Sequence, residues 1–264
     1  MRTRLVRVRR RGGTVVLAVI MLALAAAVYI RVSLPALREM EAEAADAVSR
    51  GERVTREIVI DPLEAHLVSF GGFDEMSGAR VEAARYVSRG AAGYVLENDR
   101  MEVIGAGYDT QEEAEKVCVQ LEAAEGIGCS VVSIDSPETV LRMTAGSEQI
   151  AAFLKGEQAL RSAAGALGQL AFSIDRGEAN VKQAFLVIES QLQKTEDAAQ
   201  ELSLQAGESG NRVFSELLTL LEELSAQMEQ MLSENSGMAL SSRLKYTHVD
   251  FRVREIKMLN DMMG

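Results

Sequence analysis

The hydrophobic pattern opens with nineteen consecutive uncharged residues, Gly12 to Ile30. As a helix at about 1.5 Å per residue, that run is roughly 28 Å long and matches the hydrocarbon thickness of a bilayer. The pattern predicts a transmembrane helix over residues 12–32. Six arginines (Arg2, Arg4, Arg7, Arg9, Arg10 and Arg11) precede the run, and only Arg31 follows at once. Positive charge stays on the cytoplasmic side, so residues 1–11 read as a cytoplasmic tail. A cleavable signal peptide is the alternative, because Ala23-Leu24-Ala25 and Ala25-Ala26-Ala27 are small-x-small sites. On either reading the rest of the chain is exported.

Residues 33–63 are rich in alanine and charge and read as a polar stalk. From 64 to 135 the period changes repeatedly. Ala65 to Phe70 alternates as a strand, and Gly71-Gly72 ends it. Met76 to Arg89 is helical, with Val81, Ala84 and Val87 stepping by three. Gly93 to Glu97 and Met101 to Ala106 are strands around an Asn98-Asp99 turn. Thr110 to Glu122 is a helix whose Thr110 and Glu113 have capping-box spacing. Cys129 to Ile134 closes the series as a strand. This βαββαβ order predicts a small α+β domain: a four-stranded antiparallel sheet with two helices on one face and the other face open.

Residues 136–264 predict an all-α helical bundle. Ser136-Pro137-Glu138 has the form of a helix start. Helices follow near 137–145, 147–174, 178–206, 210–235 and 238–261, separated by glycines. Phe214, Leu217, Leu221, Leu224, Met228 and Met231 step as a heptad seam, and Val181, Phe185, Ile188 and Leu192 repeat the pattern. Short connections favour antiparallel packing within one chain, with oligomerisation through a coiled-coil seam as the alternative.

Charge narrows the class of partner. Taking the seven arginines of residues 1–33 from the total of −11 leaves −11 − 7 = −18 on the remainder. So acidic a surface excludes nucleic acid and favours neutral or cationic partners. Catalytic chemistry finds no constellation. His66 and His248 stand alone, and there is no nucleophile elbow, P-loop or dinucleotide fingerprint. No catalytic residue, metal site or cofactor is expected. Cys118 and Cys129 are the only cysteines, and outside the cytoplasm a disulfide between them is open.

Three segments carry a family likeness: HLVSFGGFDEMSGA at 66–79, GYVLENDRMEVIGAGYDTQEEAEKVCVQLEAAEG at 93–126, and CSVVSI at 129–134. Together they resemble a SPOR (sporulation-related) domain over about 70 residues. Val68, Gly71, Phe73, Ala79, Val103, Tyr108, Thr110, Ala114 and Glu115 sit where that pattern places them. The resemblance implies a non-catalytic protein of the bacterial cytoplasmic membrane. It would be single-pass and would bind peptidoglycan glycan strands at septa, in cell division or sporulation. It implies glycan contacts from Leu67, Ser69, Gly72, Arg100, Glu102 and Ile104 on the open sheet face. Several depart from the family's residues: Ser69 stands for Gln, Gly72 for a small hydroxyl residue and Glu102 for Arg, and the aromatic that often precedes that Arg falls near Arg100, or at Met101 if the turn is gapped. Envelope or septal proteins would engage the helical tail, and the bilayer would hold residues 12–32. The alternative is an interaction scaffold that keeps the fold without strong glycan affinity. A small-molecule sensor is a further alternative, because such domains share the same element order.

Overall fold

The computed structural model describes residues 53–206 and 212–263. Two strands begin it: β1 (Val54–Ile60) and β2 (Leu63–Phe73). Then come α1 (Met76–Val87), β3 (Tyr94–Glu97), β4 (Met101–Tyr108), α2 (Gln111–Glu125), β5 (Ser130–Ser136) and β6 (Thr139–Ala145). Four long helices complete the chain: α3 (Ser147–Asp175), α4 (Val181–Ala206), α5 (Arg212–Met231) and α6 (Gly237–Met263).

A four-stranded sheet runs in the order β3-β4-β2-β5, with every pair antiparallel. Its first face carries Val103, Phe70 and Val95 against Ala79 and Ala83 of α1. The alanines let the helix approach, and Phe70 stacks on Tyr86 with ring centroids 4.1 Å apart. The β2–β4 register slips by one residue between Val68↔Ala106 and Ser69↔Ile104, which makes Gly105 the extra residue of a bulge. A Cβ at Gly105 would collide with the Phe70 ring, so the bulge needs glycine. Its carbonyl accepts a 2.7 Å hydrogen bond from the Ala92 N–H, which ties the loop before β3 to the sheet.

Three parts of the expected architecture are corrected. First, the sheet's second face is not open. Helix α6 lies across it: Val249 and His248 close on Gly107 and Leu67, and Tyr246 meets Tyr94 at 5.6 Å. The bundle and the small domain are therefore one compact unit from Thr55 onward, not successive parts. Second, residues 137–145 are not a helix. Thr139, Met143 and Ala145 are buried while Val140, Arg142 and Thr144 face outward, a period of two that outweighs the Ser-Pro-Glu start signal. Pro137 instead turns the chain between β5 and β6, its carbonyl accepting from the Ser136 and Thr139 hydroxyls. Third, β6 pairs with β1 in a second, two-stranded sheet. Strand β1 falls inside the expected stalk, and its Ile58 and Ile60 are buried. The transmembrane helix expected over 12–32 lies outside the described residues. Among the described residues no helix is long and apolar enough to cross a membrane.

Helices α3 to α6 pack as a bundle. All six seam positions of α5 are buried, and Gly156 of α3 lets Leu217 and Leu221 come close. In α4 the seam is narrower: only Ile188 of the four expected positions is fully buried, beside Ala184, Ala198 and Leu202. Small residues take over because α4 runs against α3, whose Ala163, Ala164 and Ala171 are themselves buried.

Candidate functional site

The six residues expected to contact glycan divide into two groups. Leu67, Ser69 and Ile104 have 0% exposure. Leu67 lies beneath α6, since the Gly107 position that touches it also touches Val249 and His248. Gly72 and Glu102 are half-buried and Arg100 is exposed, all toward the β3–β4 end of the sheet. Glu102 accepts a hydrogen bond from the Ser69 hydroxyl, which in turn accepts from the Gly71 N–H at 3.2 Å. The Glu102 carboxylate also leans over Gly72, where a Cβ would meet it at 2.7 Å. Arg100 pairs with Asp74 at 3.2 Å. Ser69, Gly72 and Glu102 thus form one polar cluster with Arg100 at its rim, while Leu67 and Ile104 serve as core.

Polar contacts fasten α6 around the sheet's edges. The Ser242 hydroxyl donates to the Ala91 carbonyl at 2.6 Å and the Lys245 ammonium to the Gly90 carbonyl at 2.7 Å. Asn260 donates to the Asp135 carbonyl at 3.1 Å. Glu255, fully buried on α6, accepts from Arg161 of α3 at 3.0 Å and from Arg252 at 3.4 Å. Arg161 also donates to the Asp61 carbonyl in the β1–β2 turn. Burial holds the Glu255 carboxyl above the usual carboxylate range, and the two arginines pull it back down. Helix α6 is therefore bound to α3, both sheets' connections and the loop before β3.

His248 is the tightest point of that junction. Its Nδ1 donates to the Ala164 carbonyl at 2.8 Å, so in the neutral ring Nε2 keeps its lone pair. The imidazole is clasped between Gly168 and Gly107, where added Cβ atoms would lie 2.7 and 3.3 Å from it. Burial lowers its pKa, Arg252 acts in the same direction, and the Ala164 hydrogen bond and Asp109 oppose them. Sequence reading left His248 without a role, because its glycine partners lie far away in the chain and no local motif announces them. His66, the other histidine, bonds Ser133 across the β2–β5 pair at 2.8 Å.

Two concavities border the junction. A cleft of about 450 Å³ is lined by Tyr108, Lys116, Gln120, Phe172 and His248, with Tyr108 stacked on Phe172 at 4.8 Å. A groove of about 810 Å³ runs between the end of α1 and helices α5 and α6, past Val87, Met238 and Tyr246. Among the described residues no group of three or more His, Cys, Asp or Glu could hold a metal ion. Cys118 and Cys129 are half-exposed free thiols. No family model, no curated protein and no solved structure matches this chain.

Proposed function

We propose that this chain is a non-catalytic, membrane-tethered envelope protein whose folded part is an interaction scaffold. The observation that carries this reading is the position of α6. It fills the sheet face on which a SPOR domain would lay a sugar strand, leaving Leu67, Ser69 and Ile104 without exposure. A glycan needs a flat, reachable platform with polar partners. Here the platform holds the protein's own helix and the polar partners hold each other. The tether rests on the uncharged Gly12–Ile30 run. The acidic surface favours partner proteins with basic faces.

A glycan-binding reading keeps one supporting observation: Gly72, Glu102 and Arg100 remain partly or wholly accessible at the sheet's end. Co-sedimentation with peptide-stripped peptidoglycan separates the two. The scaffold reading expects the full chain, purified in detergent, to pellet no more with stripped wall than with wall bearing its stem peptides. Selective retention that is lost in Arg100→Glu would replace the scaffold reading with the glycan one.

A further inference from the structure

Helix α2 ends in a chain reversal. Gly126 takes a left-handed conformation at φ 65 and ψ 23, and its N–H caps the Glu122 carbonyl at 3.0 Å. The Ile127 N–H reaches back to the Leu121 carbonyl at 3.4 Å. This left-handed cap ends the helix, and β5 then packs back against it. The lengths then match. From Cys118 to Gly126 the helix rises about 12 Å, and the return from Gly126 to Cys129 covers about 10 Å if extended. Cys129 therefore arrives beside Cys118, near enough for the two thiols to interact. Both residues are half-exposed, so a dissolved reagent can reach them.

We propose that Cys118 and Cys129 are a reversible oxidation site, closing by exchange with an external disulfide to clip α2 onto the start of β5. The Cys118 sulfur attacks one sulfur of the external disulfide and forms a mixed disulfide, and the first thiol leaves. The Cys129 thiol gives up its proton and attacks the Cys118 sulfur, and the second thiol leaves. Two protein thiols are oxidised to one disulfide, and one external disulfide is reduced to two thiols. Burial first, and then the neighbouring Cys118, push the Cys129 thiol up to about 12.

The clip acts on a helix with a thin buried face. Helix α2 fully buries only Ala114, and its remaining side chains are half-exposed or exposed. It also supplies Glu113, Lys116 and Gln120 to the wall of the cleft beside His248. Oxidation therefore fixes one wall of that cleft. Closure of the site does not depend on the scaffold reading, whereas its oxidation in the cell depends on export.

The test uses the purified full chain equilibrated with excess oxidised glutathione. Free thiols are then alkylated, and the protein is cut at glutamates, which separates the two cysteines at Glu122 and Glu125. The expected result is a cross-linked pair of peptides with no alkylated thiol. Amide exchange across residues 111–125 should slow about tenfold in the oxidised chain and recover with dithiothreitol. Cys118→Ser should stop at a glutathione adduct or a free thiol. Two alkylatable thiols, stable glutathione adducts on both cysteines, or chain-to-chain dimers would each overturn the site. Unchanged amide exchange in a properly closed disulfide would overturn the clip.

Discussion

Gly168→Ala is the sharpest test of the junction that closes the sheet. The added methyl would lie 2.7 Å from His248 Nδ1, 2.9 Å from Cγ and 3.0 Å from Cε1. Gly107 lies toward the other edge of the imidazole and limits its retreat. The ring must leave the Ala164 carbonyl and press α3 and α6 apart. Overpacking of this kind costs about 1–3 kcal/mol. Losing a buried hydrogen bond while leaving its partner unsatisfied costs about 1–3 kcal/mol more. Alanine restores about 1 kcal/mol of helix propensity over glycine. The net expectation is a loss of about 1–5 kcal/mol, large beside a typical total of about 5–15 kcal/mol. Urea unfolding measures it as a lowered midpoint with an unchanged slope, because the surface exposed on unfolding stays the same. A double-mutant cycle adds the mechanism. In a His248→Ala background the methyl gains room, so Gly168→Ala should cost much less there than alone. Strict additivity, or a Gly168→Ala midpoint equal to the parent's, would refute the clasp.

Two further outcomes follow from the same contacts. Gly105→Ala should destabilise by about 1–3 kcal/mol, because its methyl displaces Phe70 from Tyr86, and near-ultraviolet circular dichroism would register the lost aromatic packing. His248 gives a pH signature. Its folded pKa is lowered, so between the ordinary value of about 6.5 and the lower folded value only the unfolded chain takes up the proton. Its contribution is complete above that ordinary value and is lost as pH falls toward the folded one. Across that window the parent should lose more stability than His248→Gln does, as measured by chemical unfolding at several pH values. Parallel pH profiles would remove His248 as the cause.

Much of the element order was legible in the sequence for a local reason. The βαββαβ alternation depends on periods of two and of about 3.6 and on turn residues, all read within short windows. The N-cap half of the expected capping box showed in the same way: the Thr110 side chain accepts from the Glu113 N–H. The α5 seam was legible too, since six apolar residues on one stripe have nowhere to go but a core. Strand β6 was not, because Ser136-Pro137-Glu138 is a strong local signal and its competitor is a partner strand far away in the chain.

The candidate site shows the division most clearly. Alternation alone put Leu67 and Ser69 on one face of the sheet. Whether that face meets sugar, solvent or protein is decided by what packs on it, and the alternation along β2 and β4 does not say which. The decision came from α6, whose His248 fits only because Gly107 and Gly168 left it space. Likewise, the sequence contained two cysteines eleven positions apart, and the left-handed cap at Gly126 with the packing of β5 on α2 set them near each other. Short-range sterics and hydrogen bonding determined the elements. Coverage of their faces was set by non-local packing, which depends on shape complementarity between segments that no local pattern relates.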